Sequence, residues 1–232
     1  MSTVIAVDDD GTTGQRILDV ATAFAALTNA EIRTLDPGGS AAVTSDAWAQ
    51  RLLAALAEPD VTITVIGSPE HRREQNWHIL QHAGKPVILV PAGTARLPRT
   101  IAKTLIPLDG TRESAAAVAE TVHVLAGSGV ELIVLHVFDA TTVPKFWDHS
   151  HHAERAWQNE FLARYCSEPG VHMQLRSGTA AEHVLDVAAA EQVDLIALGW
   201  SRRLDAGHAR TLRRTLRDAE VPVLVVPVTG PR

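Results

Sequence analysis

Six arginines crowd one short stretch near the C-terminus: Arg202, Arg203, Arg210, Arg213, Arg214 and Arg217. Guanidinium groups present fixed forks of N–H donors that match phosphate and carboxylate oxygens, so such a cluster is able to hold an anion. A solvated helix face is the plainer reading, and both stand. Nucleic acid is not favoured, because one short basic cluster in an acidic chain leaves little electrostatic footprint. Upstream, Asp148 is followed by His149, His151 and His152. Imidazoles at i and i+3 are able to share a transition metal, but neither a cysteine nor a second cluster completes a ligand set. The same residues read as a polar loop or as a lid over a ligand, with Phe146 and Trp147 beside them to cap a base or pack on the body. No metal site is expected. Asp8, Asp9 and Asp10 sit at a strand end, where catalytic carboxylates are also found, but turn chemistry is the plainer reading. No nucleophile elbow, supported cysteine–histidine pair, complete phosphate loop or metal-hydrolase signature is present. No catalytic residue is assigned, and the chain is expected to be non-catalytic.

The elements that must position these residues are short and regular. Residues 194–198 form an apolar run that stops at Gly199, followed by a polar loop, a basic helical segment at 208–219, and the β-branched run 223–226 between Pro222 and Pro227. Residues 61–66 stop at Gly67 in the same way, before a helical piece at 75–83 and a run at 87–90. Short continuous apolar runs of this kind suit strands covered on both faces. Further strands are read at 4–7, 31–35, 101–108, 130–137 and 171–176. Helices are read at 12–28, 46–56, 114–126, 154–165 and 180–191, and 138–150 reads as an irregular loop. The chain is thus two copies of one α/β unit, residues 1–92 and 99–232, joined by a short linker. The second copy carries one helix and one strand more than the first, most simply 154–165 and 171–176. A doubly wound parallel sheet binds ligands beyond the carboxyl ends of its strands, where strand order reverses. In the second copy that crevice is lined by Asp109-Gly110, by Val137 onward and by Gly199 onward.

The order and spacing of these segments resemble the universal stress protein family in its tandem form. The likeness rests on the strand ending in Asp109-Gly110, the Leu135-His136-Val137 strand end, the strand running to Gly199, and the terminal Val221-Pro222-Val223-Leu224-Val225-Val226. It covers about residues 100–228 well and 4–91 in a weaker, shortened form. The resemblance implies a Rossmann-like fold of the adenine nucleotide alpha hydrolase type. Many members bind ATP through Gly-x2-Gly-x9-Gly-Ser/Thr after the fourth strand, where glycines let backbone N–H groups approach phosphates. Here only Gly199 fits. Arg202 stands at the second glycine, Ala209 and Arg210 stand at the Gly-Ser/Thr pair, and the loop is about three residues short. By the same resemblance Asp109 is the acidic residue of the first loop and Val137 the backbone contact to adenine. Asp109 then either orients a ribose hydroxyl or caps the helix that follows. The candidate nucleotide-binding set is Asp109, Gly110, Val137, Gly199, Arg202 and Arg210, with ATP or AMP or another small anion as the possible ligand. In the first copy, Ser68-Pro69-Glu70 follow Gly67 and Arg73-Glu74 replace the second glycine pair, so no nucleotide is expected there. The implied function is a stress response served by ligand or partner binding, with impaired ATP binding. An ATP- or AMP-binding member with weak ATPase activity is the alternative, and a structural interaction module is a third reading.

Composition fits this picture and excludes others. Apolar residues make up 46% of the 232 residues but aromatics only 4%, so the cores are aliphatic. The net charge of −6 argues against an anionic membrane or nucleic acid as partner. One cysteine, Cys166, rules out an internal disulfide and fits a reducing compartment. With no apolar run near ~18 residues and no signal-like start, a cytoplasmic protein is expected. The runs 87–90 and 223–226 each end a copy, so each belongs at a sheet edge where its exposure invites aggregation. Pairing them antiparallel across a pseudo-twofold axis removes both edges. That is an intramolecular pseudo-dimer, and the resemblance also allows a homodimer.

Overall fold

Every strand and helix read from the sequence is present. The computed structural model describes residues 2–7, 12–36, 45–93, 97–138, 151–200 and 209–228. In chain order these are β1 (Thr3–Val7), α1 (Thr12–Thr28), β2 (Glu31–Leu35), α2 (Ser45–Ala57), β3 (Val61–Ser68), a single 3-10 turn (Glu70–Arg72), α3 (Arg73–His82), β4 (Val87–Pro91), β5 (Lys103–Pro107), α4 (Arg112–Gly127), β6 (Glu131–Phe138), α5 (His151–Tyr165), β7 (His172–Ser177), α6 (Ala180–Ala190), β8 (Leu195–Trp200), α7 (Arg210–Asp218) and β9 (Val223–Pro227). Most boundaries shift from the sequence reading by one to three residues, and four shifts bear on named residues. Gly67 and Gly199 lie inside β3 and β8 instead of ending them, because backbone pairing with β4 and β9 continues past each glycine. α3 begins at Arg73, so Arg73 and Glu74 lie in a helical turn. α5 begins at His151, so His151 and His152 open a helix instead of belonging to the preceding loop. The triple aspartate at 8–10 lies outside the described residues.

The strands form one nine-stranded sheet in the order β2-β1-β3-β4-β9-β8-β5-β6-β7. All neighbours are parallel except β4 and β9, which run antiparallel with Val87 opposite Val225, Ile88 opposite Leu224 and Leu89 opposite Val223. The expected pairing of the two final strands is therefore observed. β1, between β2 and β3, occupies in the first four strands the place that β5, between β6 and β8, occupies in the last five. The extra pair α5 and β7 extends the second set outward, beyond β6.

Strand residues alternate between two helical layers, as the pleat requires. Ile5, Leu89 and Val225 pack beneath α2, α3, α6 and α7 with Leu52, Ile79, Val187 and Leu212. Val4, Ile88 and Leu224 pack beneath α1, α4 and α5 with Phe24, Val118 and Phe161. Each layer is continuous across the β4–β9 boundary. Trp200 crosses it as well, its Nε1–H donating to the Leu80 carbonyl at 3.2 Å. Asp194, at the entrance to β8, accepts from the backbone N–H groups of Ala102 and Lys103 at 2.9 and 3.1 Å and so pins the start of β5. Among the described residues, no helix is long and apolar enough to cross a membrane.

Candidate functional site

Because β4 and β9 are antiparallel, the carboxyl ends of the two strand sets point to opposite edges of the sheet. At the edge belonging to β5, β6 and β8 lies a cavity of about 850 Å³. Its wall includes Asp109, Gly110, Val137 and Gly199. Four of the six residues named from the sequence thus share one crevice. Arg210, the first residue of α7, is exposed and does not line it, and Arg202 lies outside the described residues.

The Asp109 turn is built by α4. Thr111 is the helix N-cap and its side chain accepts from the Ser114 amide at 3.2 Å. Asp109 Oδ1 in turn accepts from the Thr111 amide at 2.9 Å, from Thr111 Oγ1 at 2.7 Å and from the Ser114 hydroxyl. Burial raises the Asp109 carboxyl, but the Ser114 and Thr111 hydroxyls and the Thr111 amide more than offset it and hold the group below the usual carboxylate range. Asp109 Oδ1 thus supports the cap by holding Thr111 and Ser114, while Thr111 itself caps α4. Oδ2 makes no hydrogen bond among the described residues, which leaves an acceptor on the crevice wall.

Gly110 has φ +82°, where a side chain is strained, and a Cβ there would meet His136 Cε1 at 3.4 Å and Phe161 Cε2 at 3.5 Å. His136 is buried and its Nδ1 lies 2.8 Å from the Leu108 carbonyl. A carbonyl only accepts, so Nδ1 carries the proton. Burial lowers the affinity of this ring for a second proton, against smaller opposing effects of the Leu108 bond and the Asp109 charge. Phe138, Trp157 and Phe161 surround the imidazole at ring-centre distances of 4.7, 5.3 and 4.8 Å. Trp157 and Phe161 stack at 5.0 Å, and Tyr165 continues the series. The sequence reading named none of these three α5 aromatics. Their signal was available in the i, i+4, i+8 spacing of 157, 161 and 165, which places them on one helix face.

Gly199 has a packing role as well as a place in the wall. A Cβ there would lie 3.1 Å from the Ser114 carbonyl oxygen and 3.3 Å from Ala117 Cβ. The missing side chain lets the first turns of α4 rest on β8, which brings Ser114 to Asp109. Ala209 precedes α7 as an N-cap with no side-chain hydrogen bond and is 3% exposed. The rest of the basic cluster turns away from the crevice. Arg214 pairs with Glu182 and Asp218, Arg217 pairs with Asp218, and the Arg213 guanidinium lies 5.3 Å from the centre of the Trp77 ring. The reading of these arginines as one anion site is thus not met at this crevice by Arg210, Arg213, Arg214 or Arg217, because Arg213, Arg214 and Arg217 of α7 carry their side chains toward Trp77, Glu182 and Asp218 and Arg210 does not line the wall. Arg203 and His149 lie outside the described residues, and among those described no three His, Cys, Asp or Glu side chains form a group suited to a metal.

Residues 100–227 match the model of the Universal stress protein family. No curated protein matches the sequence. Among solved structures, a universal stress protein from Archaeoglobus fulgidus DSM 4304 is similar at 13% identity and a TM-score of 0.64, over 97% of this chain and 96% of that one. A functionally unknown protein from Pseudomonas aeruginosa PAO1 is similar at 17% identity and 0.63, over 98% and 93%. A putative universal stress protein from Pseudomonas aeruginosa UCBPP-PA14 is similar at 17% and 0.62, over 98% and 93%. At these identities the likenesses establish the fold.

Proposed function

The chain belongs to the universal stress protein family, and from that premise we propose that it serves the stress response by binding a small ligand in the crevice of its second half, without catalysis. The ligand class is an adenine nucleotide held by its base and ribose, with AMP accepted as well as ATP or better. The observation that carries this reading is the unequal state of the two ends of the crevice. At one end Asp109, whose Oδ2 has no hydrogen bond among the described residues, lines the crevice with Gly110 and Val137. At the other, of the motif only Gly199 remains, Ala209 stands at the third glycine, and Arg210 stands at the hydroxyl position without lining the cavity. A phosphate chain loses there the glycine N–H groups and the hydroxyl that the family's motif supplies.

The same reading treats residues 1–92 and 99–232 as two units of one ancestry, with the β4–β9 pair taking the place of a subunit interface. A cytoplasmic location belongs to it too, supported by the single buried thiol of Cys166. Equilibrium dialysis with AMP, ADP and ATP, together with an assay for released phosphate, tests the proposal. AMP should bind at least as tightly as ATP, with no phosphate release. ATP binding at micromolar Kd with AMP much weaker, or steady hydrolysis, would overturn it.

A further inference from the structure

A second cavity, of about 560 Å³, opens at the opposite edge of the sheet from the crevice, where the first turn of α3 and the end of β4 meet α7. Neither half could build it alone. The first half supplies Arg73, Asn76 and Trp77, and the second supplies Arg213 and Arg217.

Three features of this seam point to a ligand. The first is Arg213. Its guanidinium lies over the Trp77 ring, and it pairs with no carboxylate among the described residues. An aromatic face holds the plane of a guanidinium while leaving its N–H edge open, which suits a planar fork on an oxyanion. The second is Asn76, only 3% exposed. Its Nδ2 donates to the Gly67 carbonyl at 3.1 Å, whereas its Oδ1 is buried with no partner among the described residues. A buried amide oxygen left unbonded is costly, and a donor arriving through the cavity that Asn76 lines would satisfy it. The third is charge. Arg73 approaches from α3 and Arg217 from α7. Glu70 is engaged by Arg73 at 3.3 Å and Asp218 by Arg217 at 2.7 Å, and the lining carries three arginines, Arg73, Arg213 and Arg217, against two carboxylates, Glu70 and Glu220.

We propose that this seam is a second ligand site, for a small organic oxyanion that also carries a hydroxyl or amino donor. The oxyanion sits on Arg213 and Arg73, and the donor reaches Asn76 Oδ1. The site is independent of the nucleotide reading of the crevice, since it shares no arginine with it and lies at the other edge of the sheet. Trp200, which lines the crevice, lies 6.0 Å, ring centre to ring centre, from Trp77. That pair also provides a reporter, because Trp77 sits in the wall of the proposed site.

Glycerol 3-phosphate serves as the probe, since it joins a phosphate to adjoining hydroxyls. Titrated into the full chain, it should change tryptophan emission saturably. Arg213→Gln and, separately, Arg73→Gln should each weaken the titration by about tenfold or more, as expected for loss of a charge-assisted bond. Arg99→Gln, at an exposed position away from the seam, should titrate like the parent. Circular dichroism establishes that each variant is folded, and Arg73→Gln, at a half-exposed side chain, keeps the test available if Arg213→Gln is not. No saturable response up to about 10 mM, a range that still detects binding of a few kcal/mol, would overturn the proposal. So would Arg213→Gln and Arg73→Gln chains that bind as the parent does.

Discussion

Ile88 faces Leu224 across the β4–β9 boundary, and each is the second residue of its strand. The flanking pairs, Val87 with Val225 and Leu89 with Val223, exchange first and third positions, as a self-complementary contact requires. Both central side chains are fully buried. The boundary therefore removes two apolar edges and carries both buried layers across from one set of strands to the other. Leu224→Ala should lower stability by about 2–5 kcal/mol, and the parent should unfold in a single transition. Urea denaturation followed by both circular dichroism and tryptophan emission checks this. Two well-separated transitions would mean that the halves do not share a core.

Gly199→Val should destabilise the protein by about 1–3 kcal/mol, because the added methyl groups overpack against Ser114 and Ala117. The damage should travel to Asp109 through Ser114. An unfolding midpoint equal to that of the parent would show that α4 has room to move away from β8.

Acidification should weaken the fold through His136. Burial keeps its folded value below the ordinary 6.5. The unfolded chain then takes up the proton more readily, so this contribution is intact above 6.5 and lost as pH falls toward the folded value. His136→Gln should show a smaller loss of stability between pH 7 and pH 5 than the parent. Equal losses would place the titrating group elsewhere.

Asp109 acts with the usual sign for a carboxylate. Its folded value lies below the ordinary 3.8, so its stabilisation is complete above 3.8 and disappears as pH falls through the folded value. Asp109→Asn should flatten the stability profile below about pH 4, as measured by thermal unfolding across a pH series. If Oδ2 holds a ribose hydroxyl, Asp109→Ala should also weaken AMP about tenfold or more in calorimetry. Unchanged AMP affinity would remove Asp109 from the ligand site and leave it a support of the helix cap.

Local pattern alone determined much of this molecule. Nearest-neighbour backbone hydrogen bonding sets the periods of strand and helix, so the apolar runs at 61–66, 87–90 and 223–226 could be read as strands without knowing their neighbours. Their lack of polar alternation required cover on both faces, and their place at the end of each copy required an edge partner. The β4–β9 pairing followed from that. The turn at Asp109-Gly110 and the place of Gly199 on the same crevice were legible too, since strand ends of a doubly wound sheet gather there, although β8 continues through Gly199 to Trp200. What each residue does there was decided only by elements distant in sequence. Gly199 suits a glycine because α4 crosses β8 so closely that a Cβ there would lie 3.1 Å from the Ser114 carbonyl oxygen. Trp157 and Phe161 matter because the α5 crossover lays them over Gly110 and His136. Arg213, which in sequence belongs with a phosphate-binding cluster, turns instead to Trp77 of the other half. Side-chain direction depends on the face a helix presents after docking, and that is a property of the packed layers rather than of any local run.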